Sequence, residues 1–210
     1  MVADEAGGQL WVIDPNSGQV ISVTPDGTVA RIADLSAEHP VPAAIVANPA
    51  GGVYVGYLTA VPFPDGAAKV VSVAADGTVA DVWTGLTVVT GLAVDADGTL
   101  HALQMSTGNL EEPPFLMPGS GQVLRQTGPD TSEVVAEGLM FPIALGIGPD
   151  GGMYVSLPAL GAQGGEGIVV RLDFGDVSPS AEAPVCDPIP ETLSAPAGEA
   201  TPEAEASPVA

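Results

Sequence analysis

Two neighbouring stretches, Val46-Ala-Asn-Pro-Ala-Gly-Gly-Val-Tyr-Val55 and Lys69-Val-Val-Ser-Val-Ala-Ala-Asp-Gly-Thr-Val79, decide the fold. Each places β-branched and aromatic residues on either side of a glycine-bearing turn. Glycine accepts φ > 0 without steric cost, so each stretch reads as a β-hairpin arm. The first pattern recurs as Val2-Ala-Asp-Glu-Ala-Gly-Gly-Gln-Leu-Trp-Val12, as Ala93-Val-Asp-Ala-Asp-Gly-Thr-Leu-His-Ala102 and as Gly146-Ile-Gly-Pro-Asp-Gly-Gly-Met-Tyr-Val155. The second recurs as Gln19-Val-Ile-Ser-Val-Thr-Pro-Asp-Gly-Thr-Val29, more loosely from Gln122 to Asp130, and truncated from Gly167 to Leu172.

The turn glycines Gly8, Gly52, Gly98 and Gly152 are spaced by 44, 46 and 54 residues. A four-stranded propeller blade repeats at about 40–50 residues. Period, turn chemistry and strand composition agree, so the chain reads as all-β: a β-propeller of four-stranded antiparallel blades, strands A to D from the axis outward. Expected strands are 1–4, 9–13, 19–23 and 28–32 in blade one; 43–47, 53–57, 68–73 and 78–83 in blade two. Blade three takes 91–94, 99–104, 121–126 and 132–136. Blade four takes 143–147, 152–157 and 167–172, with no outer strand, giving about 3.75 blades. A four-bladed disc with one ragged blade is one reading. The preferred one is that further blades precede Met1, because Met1 already lies in an innermost strand and nothing upstream can complete the last blade.

Residues 1–174 therefore form the blades. From Gly175 the chain turns to Pro, Ala, Ser and Glu, as in Ala197-Gly-Glu-Ala-Thr-Pro-Glu-Ala-Glu-Ala-Ser-Pro208. It lacks the aromatic and β-branched density to bury a core, so 175–210 is expected to be a disordered acidic tail. Cys186, the one cysteine, falls in this tail and says little about redox compartment.

Charge excludes some partners. Four Lys and Arg stand against 26 Asp and Glu, a net charge of −22. Nucleic acids and anionic lipids are bound through Lys and Arg, so neither is an expected partner. No run is long enough for a membrane-spanning helix, and the given N-terminus carries no signal-peptide pattern.

The A–B and C–D turns fall on one face of the disc and are short. The B–C loops, residues 56–67, 105–120 and 157–166, fall on the other and are long, which makes that face the expected binding surface. Its candidate ligand or partner residues are His39, Tyr57, Phe63, Gln104, Asn109, Glu111, Glu112 and Phe115. The blade-three loop, Met105-Ser-Thr-Gly-Asn-Leu-Glu-Glu-Pro-Pro-Phe-Leu-Met-Pro118, could be a ligand lip, a partner contact, or packing across the disc centre with two solvated carboxylates. Tyr57 and Gln104 close B strands near the channel mouth, where either could meet a ligand or serve structure. His101 fills the slot held by Trp11, Tyr54 and Tyr154 in the other blades and reads as packing. No catalytic triad spacing, zinc motif or phosphate loop is recognisable.

The stretch Tyr54-Val-Gly-Tyr-Leu-Thr-Ala-Val-Pro-Phe-Pro-Asp-Gly-Ala-Ala68 resembles the ScyD/ScyE family of secreted, NHL-like propeller proteins, which have a similar Leu-Thr, Pro-Phe-Pro and Gly-x-Ala leading into a Val-x-x-Val strand. The likeness continues from Val70 to Leu103 and extends loosely from Met1 to Asp173. It implies a six-bladed, TolB-like propeller of which this chain is an N-terminally shortened part, and an extracellular or cell-envelope location. Related gluconolactonase-type propellers bind a divalent metal through channel-lining carboxylates and an amide. The positions here are Tyr57, Gln104 and Leu157, so no cofactor is expected; a cation such as Ca²⁺ would need ligands from further blades.

Three functions follow as expectations. The first is a non-catalytic propeller presenting its loop face to a small molecule or protein. The second is a metal-dependent lactonase, and the third a structural spacer tethered by the tail. Fold alone does not choose among them.

Overall fold

The computed structural model describes residues 1–4, 8–37, 40–161 and 167–172. His39, Cys186, the end of the blade-four loop and the 175–210 tail lie outside the described residues.

Blade one comprises β1 (Val2–Asp4), β2 (Gln9–Asp14), β3 (Gln19–Val23) and β4 (Val29–Asp34). Blade two comprises β5 (Pro42–Ala47), β6 (Val53–Tyr57), β7 (Ala68–Val73) and β8 (Val79–Leu86). Blade three comprises β9 (Val89–Val94), β10 (Leu100–Gln104), β11 (Gly121–Gly128) and β12 (Thr131–Leu139). Blade four has β13 (Ala144–Ile147), β14 (Met153–Leu157) and β15 (Ile168–Leu172). Three sheets are four-stranded meanders in sequence order, and the last, among the described residues, has three strands. The all-β propeller reading of the repeat therefore holds.

Turn chemistry sets the strand ends. Asp26 accepts from Thr28 N at 3.3 Å, Asp76 from Thr78 N at 2.9 Å, and Asp95 from Asp97 N and Thr99 N at 3.0 and 2.8 Å. These Asx interactions hold the chain reversal before each strand resumes. Gly52 shows why the turn needs glycine: its φ is +76°, and a Cβ there would lie 2.2 Å from the Val73 carbonyl oxygen. Strands β8 and β12 run past their expected ends at 83 and 136. Bulges let Leu86 pair with Ala68 and Leu139 with Gly121 after the simple alternation has slipped.

The core lies between blades. The period-2 alternation gives each blade a leading face toward the next and a trailing face toward the last. Trp11, Val20, Ala33 and Leu35 of blade one meet Val53, Val55, Tyr57, Val71 and Val73 of blade two. Ala44, Ala68, Val70, Trp83 and Leu86 meet Val89, Leu92, Leu100, Ala102 and Leu124 of blade three. Leu103 and Val123 then meet Met153 and Val155 of blade four. Gly91 lets the inner strands of blades three and four approach: a Cβ there would stand 2.8 Å from Leu145 Cβ.

Candidate functional site

The long B–C loops of blades two and three share one local device. Val61–Pro62 and Pro113–Pro114 are cis, and the phenylalanine after each has positive φ, 61° at Phe63 and 64° at Phe115. Phe63 N donates to Ala60 O at 2.9 Å and Phe115 N to Glu112 O at 3.0 Å, closing equivalent turns with a cis proline at the third position.

The loops are fastened to each other. Asp65 accepts from Gly108 N at 2.8 Å and Asn109 N at 3.4 Å, while Asn109 Nδ2 donates to Phe63 O at 3.0 Å. Ser106 Oγ donates to Asn109 Oδ1 at 2.7 Å, orienting that amide. Thr107 N and Oγ1 donate to Ser120 Oγ and O at 3.0 and 3.2 Å, closing the base of the blade-three loop. Beneath, Gly66 N donates to Thr87 Oγ1 at 2.9 Å, and Thr87 N in turn donates to Gln104 Oε1.

These ties surround an axial recess of about 360 Å³, lined by Ala43, Leu58, Phe63, Val88, Thr90, Met105, Leu116, Ile143 and Leu160. Inner strands or their lead-ins contribute Ala43, Val88, Thr90 and Ile143; the B–C loops contribute the rest. Thr90 is the one polar side chain in this lining, and its hydroxyl donates to Pro142 O at 3.2 Å.

A second recess, about 510 Å³, lies between blade one's last strand and the blade-two loop, and Tyr57, Thr59, Lys69, Asp34 and Asp81 are among its lining residues. Burial, with the Asp81 charge second, pushes the Tyr57 phenol up to about 12, so it stays protonated. Lys69 Nζ is 2.8 Å from Asp81 Oδ1.

The structure thus brings Phe63 and Asn109 together, with Phe115 half-buried on the adjoining turn. Glu111 and Glu112 are exposed on the same loop. Tyr57 and Gln104 lie away from the axial recess: Tyr57 packs between blades one and two and lines the second recess, and Gln104 is a buried strut under Thr87. Side chains alternate along a strand, so Tyr57 and Gln104, which end β6 and β10, turn away from the axis. Their immediate successors, Leu58 and Met105, reach the axis. A reading shifted by one residue would have found them. The blade-one crossover histidine, His39, lies outside the described residues.

His101 is fully buried, with Nε2 3.0 Å from Asp95 Oδ2, in keeping with packing in its slot. Burial pushes the Asp95 carboxyl up, but hydrogen bonds from His101, Thr99 and Asp97 outweigh it and leave its pKa below the ordinary value of 3.8.

A hard metal ion needs several oxygen ligands. The axial lining supplies hydrocarbon and one hydroxyl already engaged, and among the described residues no three His, Cys, Asp or Glu are grouped to hold an ion. Among the described residues, those lining the axis do not by themselves make up a gluconolactonase-type metal centre.

Fold and site together define a β-propeller chain whose elaborated loops gather over an apolar axial recess. No family model and no curated protein sequence matches it. Solved structures do. Virginiamycin B lyase from Staphylococcus aureus superposes with a TM-score of 0.54 at 11% identity, over 81% of this chain and 53% of that one. A luciferin-regenerating enzyme gives 0.54 at 14%, over 82% and 60%. A putative gluconolactonase gives 0.54 at 15%, over 81% and 57%. These are six-bladed propellers, and the chain spans little more than half their length. At such identities the likeness concerns the fold.

Proposed function

We propose that this propeller works by non-covalent capture on its loop face, in an extracellular or cell-envelope setting, with a small molecule seated in the axial recess. One observation carries the reading: loops from successive blades converge on a single apolar concavity and are pinned there by Asp65 and Asn109. Ligand sites are preferentially concave, apolar and pre-formed, carried on rigid scaffolds. The extracellular setting rests on the resemblance of residues 54–68 to secreted propellers. The test is a thermal-shift screen of chemically diverse small molecules. A ligand that raises Tm for the wild type but not for Phe63→Ala or Leu116→Ser supports the reading. Shifts indifferent to both substitutions count against it.

An enzymatic reading is motivated by neighbours named as a lyase and a putative gluconolactonase. Turnover of a lactone panel, abolished by EDTA, would favour it over simple capture.

A further inference from the structure

Resting on the binding-face reading above, we infer that the axial recess selects a neutral, hydrocarbon-rich small molecule and rejects anions and polyhydroxylated ligands. The walls are aliphatic and aromatic except for Thr90, whose hydroxyl proton is already given to Pro142 O. A sugar placed there would leave its hydroxyls without partners, and an unpaired hydroxyl in apolar surroundings costs several-fold in affinity at least.

Among the described residues, no Lys, Arg or His lines this recess to hold an anion. The sequence contains four Lys and Arg residues, and each lies beside a carboxylate at the surface. Arg31 pairs with Asp34 at 3.5 Å, Lys69 with Asp81 at 2.8 Å, Arg171 with Asp150 at 3.1 Å, and Arg125 with Glu133. None lines the axial recess. A net charge of −22 adds a repulsive field around the mouth, where Glu111 and Glu112 stand exposed on the blade-three loop. Volume sets the size: about 360 Å³ suits a compact ring system rather than a peptide or a long chain.

The decisive comparison uses two probes with one skeleton, neutral N-phenylnaphthylamine and its sulfonated analogue anilinonaphthalenesulfonate, titrated by fluorescence against the intact chain. The neutral probe should bind about tenfold or more tightly than the sulfonate, which adds a charge and three polar oxygens to the same ring skeleton. Phe63→Ala and Leu116→Ser should each weaken the neutral probe by about fivefold, as truncation of a contact residue does. Both positions are half-buried, so circular dichroism should be unchanged. Leu10→Ser, on an exposed sheet face away from the axis, should leave binding intact.

Equal affinity for the two probes overturns the inference, and so does binding that falls with Leu10→Ser but survives the two recess substitutions. A sugar or acid whose thermal shift is lost in Phe63→Ala and Leu116→Ser would overturn the ligand class while leaving the binding face standing. Silence from every class of compound would overturn both.

Discussion

Val53 and Leu10 occupy the same slot of the repeat, each one residue before the aromatic position of its B strand, and their environments differ. Val53 is 1% exposed against blade one, whereas Leu10 is 40% exposed. Deleting buried methyls costs transfer energy plus a cavity term; at an exposed site neither applies in full. Val53→Ala should therefore cost about 2 kcal/mol and Leu10→Ala less than about 1 kcal/mol by urea denaturation. Equal costs would mean that Leu10 is covered in solution. Asp95 makes a pH prediction. Its folded pKa is depressed, so its contribution is present above the unfolded value and is lost as pH falls through the folded one, below 3.8. Asp95→Asn should flatten that acid limb in a urea-midpoint profile; an unchanged limb would contradict the assignment. Residue types read well from the sequence where the repeat aligned them, as at His101. Side-chain direction at strand ends is left open by the sequence, since one step along a strand exchanges core for axis, as at Tyr57 and Leu58 or Gln104 and Met105.

Strands were legible because their signals are local: alternating β-branched residues, then Asp-Gly or Gly-Gly. Loop conformation is not of that kind. Asn109 reaches Phe63 across 46 residues of sequence, and Asp65 reaches Gly108 across 43, so no window around either loop contains the contact that fixes it. Asp65→Ala would release two backbone N–H groups. It should cost about 1 kcal/mol and speed amide exchange at Gly108 and Asn109, leaving the strands protected. Unchanged exchange at those amides would show that the loops are held by something else. Between elements, Gly91→Ala should destabilise by about 1–3 kcal/mol, because its Cβ has no room beside Leu145 and the two blades must separate. An unaltered Tm would contradict that close approach.

The whole molecule has two surfaces of different character. The trailing face of blade one carries Leu10, Val12, Ile21 and Val23, the repeat equivalents of Val53, Val55, Val71 and Val73, which are buried in blade two. Among the described residues Leu10 is exposed there and Val12, Ile21 and Val23 are half-buried; such an apolar face favours association, so sedimentation of this chain should depend on concentration, and Ile21→Glu should suppress that dependence. The loop face is instead a concavity whose parts come from blades two, three and four, visible only once the blades are placed side by side. Hydroxyl-radical footprinting with and without neutral N-phenylnaphthylamine tests this account most directly. Protection should concentrate at Phe63, Leu116 and Ile143, with Leu10 and Val29 unchanged. Protection at Leu10 and Val29 instead, or none at the axial residues, would contradict the claim that the loop face is the binding surface.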